Sequence, residues 1–476
     1  MSETQPTTRP CSDSAAFRSP AIRSSSTKRD LSEIEDDAGE GKQSKKRKTE
    51  DSAAEDVLDR FVFYPITVYG YECLGILFTA SSIRERGTTI FCGVDLRDKE
   101  KRLTLKMAWQ DVTRVAEQDA VMQHLTNHVG IHHNVIVPFK TEKVQRDDEI
   151  CTTLGVIRRF LDAQIEELGV ENRVLTLSVS ELKRPVKYFW GVHDFVRGLR
   201  GALLGHKYLT KIGILHRDIN ENNIVLGLRP EDERGYLIDL DMAILQNAEE
   251  PTQPEPVRPR PIFFRCSTPE SSTLPAPDSK KPTRTLRMGT FPYISYNVLE
   301  GGRHTQFDDV ESFLYVLLLF FFSYAGPLSV SELHEADGAG FVHSIGSGRP
   351  PHMRNWPNKY AGWADGETSV MADQKGFSIT NVNGAKRIIQ STEFAECLQN
   401  NWPKELHKPI CNLIVNSFTI FYNSTLHTTA NGSRTEVSHV EFISMLDTWL
   451  DVYSHLEDKF SNCPFKQPEV ICETES

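Results

Sequence analysis

The apolar positions between residues 58 and 110 form short runs that are separated by turn residues. The runs at 61–63, 76–78 and 88–91 have the length and the β-branched or aromatic content of strands. From residue 102 to residue 107, apolar and polar side chains alternate, which is the period of a strand with one buried face. This pattern predicts a β-rich N-terminal region.

Apolar positions farther along the chain recur at helical spacing. Residues 313–322 are apolar without a break, and such a helix belongs in the middle of a large domain because it is too short to span a bilayer. Asp309, near the start of this run, is expected to accept backbone amides, either as a helix cap or as support for a loop. An extended piece at residues 174–179 is expected to link the two regions. Further helical patterns occur in an apolar stripe (Phe195, Leu199, Ala202, Leu203, Tyr208 and Leu209) and at 388–398, 408–420 and 437–457.

Two segments lack either pattern. Residues 1–57 are rich in Ser, Thr, Asp, Glu and Lys and nearly devoid of aromatic side chains, so they are predicted to be a disordered tail. This tail contains a basic run at residues 42–48, which could be read by a nuclear import receptor or could be a solvated charge run. Proline recurs throughout residues 246–286, which predicts a flexible insertion.

The overall composition narrows the class of protein. A net charge of −11 over 476 residues argues against a chain coated in nucleic acid. The nine cysteines include no C-x-x-C pair, which disfavours the usual zinc sites and indicates reduced thiols inside a cell. No apolar segment follows Met1, so neither a secretory signal nor a membrane partner is expected. The expected location is the nucleus, the cytoplasm or both.

The stretch from residue 216 to residue 241 carries a chemical constellation. It contains a His-Arg-Asp triplet that ends at Asp218, then Asn223 five residues on, and then Asp239 at the end of an apolar run. A carboxylate such as Asp218 can orient an acceptor hydroxyl, while an amide and a second carboxylate can hold the cations that neutralise a transferring phosphoryl group. Each residue alone would be an ordinary loop residue, but this joint spacing is rare by chance.

Lys106 lies on the alternating strand, and its side chain is predicted to point away from the apolar face. Glu117, on the helix predicted between residues 111 and 125, could pair with Lys106 and hold it against nucleotide phosphates. A surface lysine and a solvated glutamate are the simpler alternative. A phosphate-cradling loop would need more glycines than Gly87 and Gly93, which a plain hairpin explains equally well.

Four segments, in chain order, are similar to the fungal-type protein kinase domain family, a fungal branch of the eukaryotic protein kinases: HRDINENNIV, YLIDLDMA, MGTFPYIS and HTQFDDVESFLYVLL. The segment KMAW around Lys106, with Glu117 downstream, and the segment ADQKGF at 372–377 resemble further features of this family. The likeness covers about residues 85–455, apart from the Pro-rich insertion.

The resemblance implies an α+β, two-lobed protein-kinase fold over residues 58–455. The small β-rich N-lobe is expected to end near residue 172, the helical C-lobe to begin at 173, and a C-terminal tail to occupy 456–476. ATP and Mg²⁺ are expected between the lobes, with transfer of the γ-phosphoryl group to Ser or Thr of protein substrates. The implied site residues are Asp218, Asn223 and Lys106 for catalysis, Lys106, Glu117, Asn223 and Asp239 for nucleotide binding, and Asn223 and Asp239 for the metal.

Several positions depart from the protein-kinase pattern, beginning with the degenerate glycine-rich loop. Asn220 stands where many Ser/Thr kinases carry a lysine, and it cannot supply that positive charge. Asp241 replaces the glycine after the metal-binding Asp. Asn297 replaces the Glu of the A-P-E element, which removes its buried pair with an Arg.

Two alternatives therefore stay open. One is a small-molecule phosphotransferase of the aminoglycoside-kinase kind, because residues 238–241 also fit its I-D-x-D pattern. The other is a pseudokinase scaffold that binds nucleotide or partners without transfer.

Overall fold

Strands dominate the N-terminal part of the computed structural model and recur in short pieces between residues 214 and 245. Their bounds are β1 (Ile66–Val68), β2 (Tyr71–Thr79), β3 (Thr89–Asp95), β4 (Asp98–Asp111), β5 (Lys140–Lys143), β6 (Gln145–Arg146), β7 (Glu149–Ile150), β8 (Arg173–Glu181), β9 (Arg184–Pro185), β10 (Ile214–Leu215), β11 (Ile224–Leu226), β12 (Tyr236–Leu237) and β13 (Ile244–Leu245). Six of them form one antiparallel sheet in the order β1-β2-β3-β4-β8-β5.

Helices make up most of the C-terminal part. Within the residues that the structure describes, the helices in chain order are α1 (Val115–Asn127), α2 (Thr153–Ile157), α3 (Val192–Lys211), α4 (Tyr296–Leu299), α5 (Gln306–Ser323), α6 (Asn358–Asp365), α7 (Thr368–Thr380), α8 (Gly384–Ile389), α9 (Thr392–Asn401), α10 (Lys404–Leu426) and α11 (His439–Val452). A β-rich N-terminal region and a helical C-terminal region confirm the predicted two-lobed α+β fold.

The structure describes residues 66–79, 87–128, 134–146, 148–157, 172–232, 235–246, 289–329, 356–426, 437–463 and 465. All of them belong to one unit that spans residues 61–476. Several predictions lie outside the described residues: the tail at 1–57 with its basic run, the strand at 61–63, and the Pro-rich insertion beyond residue 246.

The alternation along β4 gives the sheet two distinct faces. Leu103 and Leu105 are buried on one face with Val179 of β8. Lys106 follows Leu105 and points to the other face, and it is paired in register with Ser178 of β8. The structure thus confirms the predicted strand and the predicted direction of Lys106.

The expected boundary between the lobes, at residues 172 and 173, needs correction. The extended piece at 174–179 lies inside β8, which pairs with β4 along its whole length and so belongs to the N-terminal sheet. The chain leaves that sheet only after Glu181 and reaches α3 through β9 and a short 3₁₀ turn. Sequence could not show this, because the strand's partner lies more than sixty residues upstream.

The predicted apolar helix is α5, and residues 313–322 are all buried in the core of the helical region. It packs against the apolar stripe of α3, where the rings of Phe195 and Phe320 stack with their centroids 3.5 Å apart. Asp308, not Asp309, caps the N-terminus of the helix, because its carboxylate accepts from the backbone N–H and the hydroxyl of Thr305. Among the helices that the structure describes, none has both the length and the apolar character needed to cross a membrane.

The first residues of the predicted C-terminal tail pack onto the domain. The backbone N–H of Asn462 donates to the carbonyl of Trp190 at 2.7 Å, and its amide donates to the carbonyl of Leu328 at 2.8 Å. Cys463 is buried in an apolar cluster that also contains Leu77 of β2 and Trp190. This part of the chain therefore packs against both the N-terminal sheet and the residues just before α3.

Candidate active site

The loop from residue 216 to residue 223 connects β10 to β11, and a carboxylate from α5 holds its backbone. Arg217 has a φ of 69°, a left-handed conformation that costs a non-glycine residue free energy. The backbone N–H groups of His216 and Arg217 both donate to the fully buried carboxylate of Asp309, at 3.1–3.2 Å. Asp309 therefore offsets the strain and sets the direction in which Asp218 leaves the loop. Of the two expected roles for Asp309, loop support is the one observed.

Histidines complete the surroundings of Asp309. His206 Nε2 lies 2.9 Å from one carboxylate oxygen, and His304 Nε2 lies 2.8 Å from the other. Burial alone would raise the pKa of Asp309, but the charge and hydrogen bonds of the two histidines outweigh burial and lower that pKa. For His304 burial acts in the opposite direction, yet Asp309 dominates and raises the pKa of the imidazole. The buried carboxylate is thus held in its ionised form.

His216 links the loop to the segment that carries Asp239. Its Nδ1 accepts from the backbone N–H of Asp218 at 3.3 Å, so the ring proton is on Nε2, which donates to the carbonyl of Ile238 at 3.0 Å. Burial lowers the pKa of His216 and favours this neutral form. The imidazole therefore fixes the distance between two of the predicted site residues.

Asp218 is 7% exposed and accepts several hydrogen bonds on its Oδ1 atom. Thr290 donates through its hydroxyl at 2.8 Å and through its backbone N–H at 3.1 Å, and the amide of Asn220 donates at 3.1 Å. The segment that resumes after the Pro-rich insertion is thereby tied to the predicted catalytic base. Asn220, which stands at the lysine position of other kinases, holds Asp218 and Thr290 together by hydrogen bonds instead of by charge.

Asn223 and Asp239 lie on adjoining elements beside this loop. The Asn223 amide group donates to the backbone carbonyl of Asp218 at 2.8 Å and to its Oδ2 atom at 3.3 Å, which leaves the amide oxygen for a cation. The backbone N–H of Ile238 donates to the carbonyl of Asn223, so Asp239 follows directly. Asp239 has a φ of 65°, and its carboxylate accepts from the backbone N–H of Asp241 in a tight turn.

The Lys106 ammonium crosses from the sheet to this turn. Its Nζ atom lies 2.7 Å from Asp239 Oδ1 and 2.7 Å from Asp241 Oδ2. All three side chains are mostly shielded from solvent, which strengthens the attraction over that of a surface pair. Contacts therefore connect Asp218 to Asn223, Asn223 to the residue before Asp239, and Asp239 to Lys106.

The predicted pair between Lys106 and Glu117 is wrong for this structure. Glu117 lies in the first turn of α1, where its carboxylate is 3.6 Å from Arg114 Nε and about half exposed. Lys106 contacts the two aspartates of the turn, which offer two carboxylates at hydrogen-bonding distance. Helix α1 nevertheless contacts the same turn, because Gln118 donates to the backbone carbonyl of Asp241 at 2.5 Å.

The parts of this site follow one another in the order of a protein kinase: a strand lysine, a helix beside it, the His-Arg-Asp loop with its asparagine, and an aspartate after the next strand. A family model described as fungal protein kinase matches residues 67–321, which is more than half of the chain. The chain belongs to the fungal protein kinase family. A search of the curated proteins gave no match.

Within the fungal protein kinase family, this chain compensates for its sequence departures through local contacts. Asp241, at the glycine position, contributes a second carboxylate to Lys106. Asn297, at the glutamate position of A-P-E, donates to the carbonyl of Arg303 at 3.0 Å and to Asp308 at 3.3 Å. Sequence reasoning missed the supporting histidines, His206 and His304. His304 opens the segment HTQFDDVESFLYVLL, but neither its place there nor the place of His206 on α3 shows that both rings reach Asp309.

The oxygen atoms of Asn223, Asp239 and Asp241 form a donor set of the kind that Mg²⁺ prefers. The orientation of the Asn223 amide, with its NH₂ group engaged by Asp218, fits such a cation. Over the described ranges, no group of three or more His, Cys, Asp or Glu side chains is arranged to hold a metal ion. A cation here would therefore be bound by the amide oxygen together with further oxygen ligands, which the phosphates of a bound nucleotide would supply.

Proposed function

We propose that this fungal protein kinase is an active, ATP-dependent enzyme that transfers the γ-phosphoryl group to Ser or Thr hydroxyls of protein substrates. The observation that carries the proposal is the convergence of Asp218, Asn223, Asp239 and Lys106, which hydrogen bonds and ion pairs join into one continuous site. An isolated loop aspartate would have no reason to lie among these groups.

Each side chain has a role that follows from its contacts. Asp218 orients the acceptor hydroxyl and takes up its proton as the acceptor oxygen bonds to the γ-phosphorus and the bond to the leaving ADP oxygen breaks. The Thr290 hydroxyl donates to Asp218 at 2.8 Å, which shows that this carboxylate can accept from an aliphatic hydroxyl. Lys106 neutralises phosphate charge once nucleotide binding draws it from the two aspartates.

The residues that would hold Mg²⁺ are Asn223 and Asp239, with Asp241 beside them. When bound, Mg²⁺ supplies positive charge that lowers the free energy of the phosphoryl transition state. Lys106 contacts Asp239 and Asp241 and so neutralises part of their charge where the metal would bind.

The alternative function is that of a small-molecule phosphotransferase, which the second carboxylate at Asp241 favours. The two functions differ in the class of acceptor that is phosphorylated. A library of Ser, Thr and Tyr peptides and a panel of aminoglycosides and other small alcohols should be incubated with the full chain, Mg²⁺ and γ-labelled ATP. We expect label in Ser and Thr peptides and none above background in the small alcohols. Label confined to the small alcohols would contradict the proposed function.

We further propose that the basic run at residues 42–48 directs import into the nucleus, because a lysine-rich run is the sequence feature that an import receptor binds. Deleting these residues should shift a fluorescently tagged chain toward the cytoplasm. Replacing them by a neutral Gly-Ser segment of equal length is the matched control for spacing, and it should shift the protein equally. An unchanged nuclear fraction in both variants would refute the proposal.

A further inference from the structure

Lys375 is a completely buried lysine on α7, within the segment at 372–377 that resembles a family feature of unassigned role. A cation in this position must be compensated, because burying an uncompensated ammonium costs far more free energy than a domain can spare. Neither the predicted active site nor the chain's other motifs use it. The role of Lys375 is therefore inferred from its contacts.

The Lys375 ammonium donates to two backbone carbonyls, at 2.9 Å to Pro292 and at 2.5 Å to Ile294. It also lies over two aromatic rings, 3.9 Å from the centroid of Tyr315 and 4.9 Å from that of Trp363. The carbonyls and the ring faces all present negative charge to the cation. The two carbonyls and the two rings, called the aromatic box below, come from three separate parts of the fold: the segment after residue 290, α5 and α6.

Glu311 of α5 holds the same segment from the other side. One oxygen of its carboxylate accepts from the backbone N–H of Tyr296 at 2.6 Å and from the hydroxyl of Tyr315 at 2.6 Å. Burial lowers the pKa of Lys375 well below its usual value, and the charge of Glu311 opposes that lowering. Gly376 brings α7 close to this segment, because a Cβ atom there would lie 2.8 Å from the Tyr296 ring.

The segment so held, residues 290–296, begins beside the catalytic loop. Thr290 at its start contacts Asp218, and Asn297, the next residue after the segment, occupies the place where other kinases have the glutamate of A-P-E. That glutamate normally anchors this segment through a buried pair with an arginine, and Asn297 cannot do so. Lys375 supplies buried hydrogen bonds to the same segment from a different helix.

We propose that Lys375 is a positioning residue that, with Glu311, anchors residues 290–296 and thereby shapes the surface on which a peptide acceptor is presented to Asp218. The consequence for the acceptor rests on the proposed kinase function, whereas the anchoring itself does not. The anchor acts through backbone carbonyls, so it fixes the segment independently of its side chains.

Amide hydrogen exchange of the full chain tests the anchoring without any activity. Lys375→Met keeps an unbranched stem inside the aromatic box but removes the donors to Pro292 and Ile294. Exchange in the peptide covering residues 291–299 should accelerate by about tenfold or more, because two buried hydrogen bonds to the carbonyls of this segment are lost. Exchange in β4 should stay within about twofold, since the hydrogen bonds and ring contacts of Lys375 are all made with residues between 292 and 363.

Lys386→Met, at an exposed lysine on α8, is the matched control and should leave both peptides unchanged. Unaltered exchange at 291–299 in a folded Lys375→Met protein would overturn the proposal. If that variant does not fold, Glu311→Gln takes its place, since it keeps the hydrogen-bond acceptor and removes only the charge. It should accelerate exchange in the same peptide by a smaller factor, and unaltered exchange would again overturn the proposal.

Steady-state kinetics test the positioning role. In Lys375→Met the KM for a peptide acceptor should rise by about tenfold or more, while the KM for ATP stays within about twofold. A general loss of structure would change both, so equal changes in the two KM values would contradict positioning. A wild-type chain that phosphorylates no peptide would refute the proposed function instead, and the exchange measurement would still decide whether Lys375 anchors the segment.

Discussion

Replacing Asp239 with Asn should lower Mg²⁺-dependent phosphoryl transfer by at least about a hundredfold. The neutral amide cannot balance a divalent cation, and it removes one of the two carboxylates that hold Lys106. Asn is the informative replacement because Asp239 has a left-handed φ of 65°, which Asn tolerates and Ala does not. The substitution therefore isolates charge from backbone strain. Transfer to a peptide acceptor, measured over a range of Mg²⁺ concentrations, checks the prediction.

Glu231→Gln is a suitable control, since Glu231 is an exposed acid of the same region and its loss should leave transfer unchanged. If Asp239→Asn instead transferred phosphate at the wild-type rate and with the wild-type Mg²⁺ dependence, the assignment of Asp239 to the metal would be wrong. Asp241→Asn adds a comparison within the turn, because Lys106 contacts both carboxylates at the same distance.

Replacing Asp309 with Ala should destabilise the domain by about 3–5 kcal/mol, the usual cost of breaking a buried charge network. The substitution leaves the backbone N–H groups of His216 and Arg217 and the rings of His206 and His304 without their shared acceptor. Because Arg217 would also lose the contact that offsets its left-handed conformation, transfer activity should fall even where the domain stays folded. Urea unfolding followed by fluorescence gives the change in stability.

Asp373→Ala, at an exposed acid on α7, serves as the control and should change stability by less than about 0.5 kcal/mol. An Asp309→Ala protein as stable as this control would show that the histidine and backbone contacts contribute little.

Local patterns predicted those parts of the fold whose burial depends on neighbours in sequence. Alternation identified β4 and placed Lys106 on the face opposite Leu103 and Leu105, and the uninterrupted apolar run identified α5 as a core helix. The piece at 174–179 was correctly extended, yet it was assigned to the link between lobes because its pairing with β4 is distant in sequence.

The candidate site shows the same division. The spacing of the His-Arg-Asp triplet, Asn223 and Asp239 identified residues that the structure brings together, since one short loop and one hairpin hold them. The partner of Lys106 was predicted as Glu117, whereas the structure pairs Lys106 with Asp239 and Asp241. Which carboxylate a lysine reaches depends on how a helix is placed against a sheet, and chain order does not determine that placement. The burial of Lys375 could not be predicted from the sequence for the same reason.

The central claim, that Asp218 serves phosphoryl transfer from ATP to a protein hydroxyl, is tested most directly by one assay. Wild type, Asp218→Asn and the exposed control Asn222→Ala should be compared for transfer from γ-labelled ATP to a Ser/Thr acceptor, with nucleotide binding measured in parallel. We expect wild type and Asn222→Ala to label the acceptor equally, and Asp218→Asn to bind nucleotide normally but to transfer about 10²–10⁴-fold more slowly. Transfer by Asp218→Asn at the wild-type rate, or nucleotide binding by wild type without any transfer, would contradict the claim.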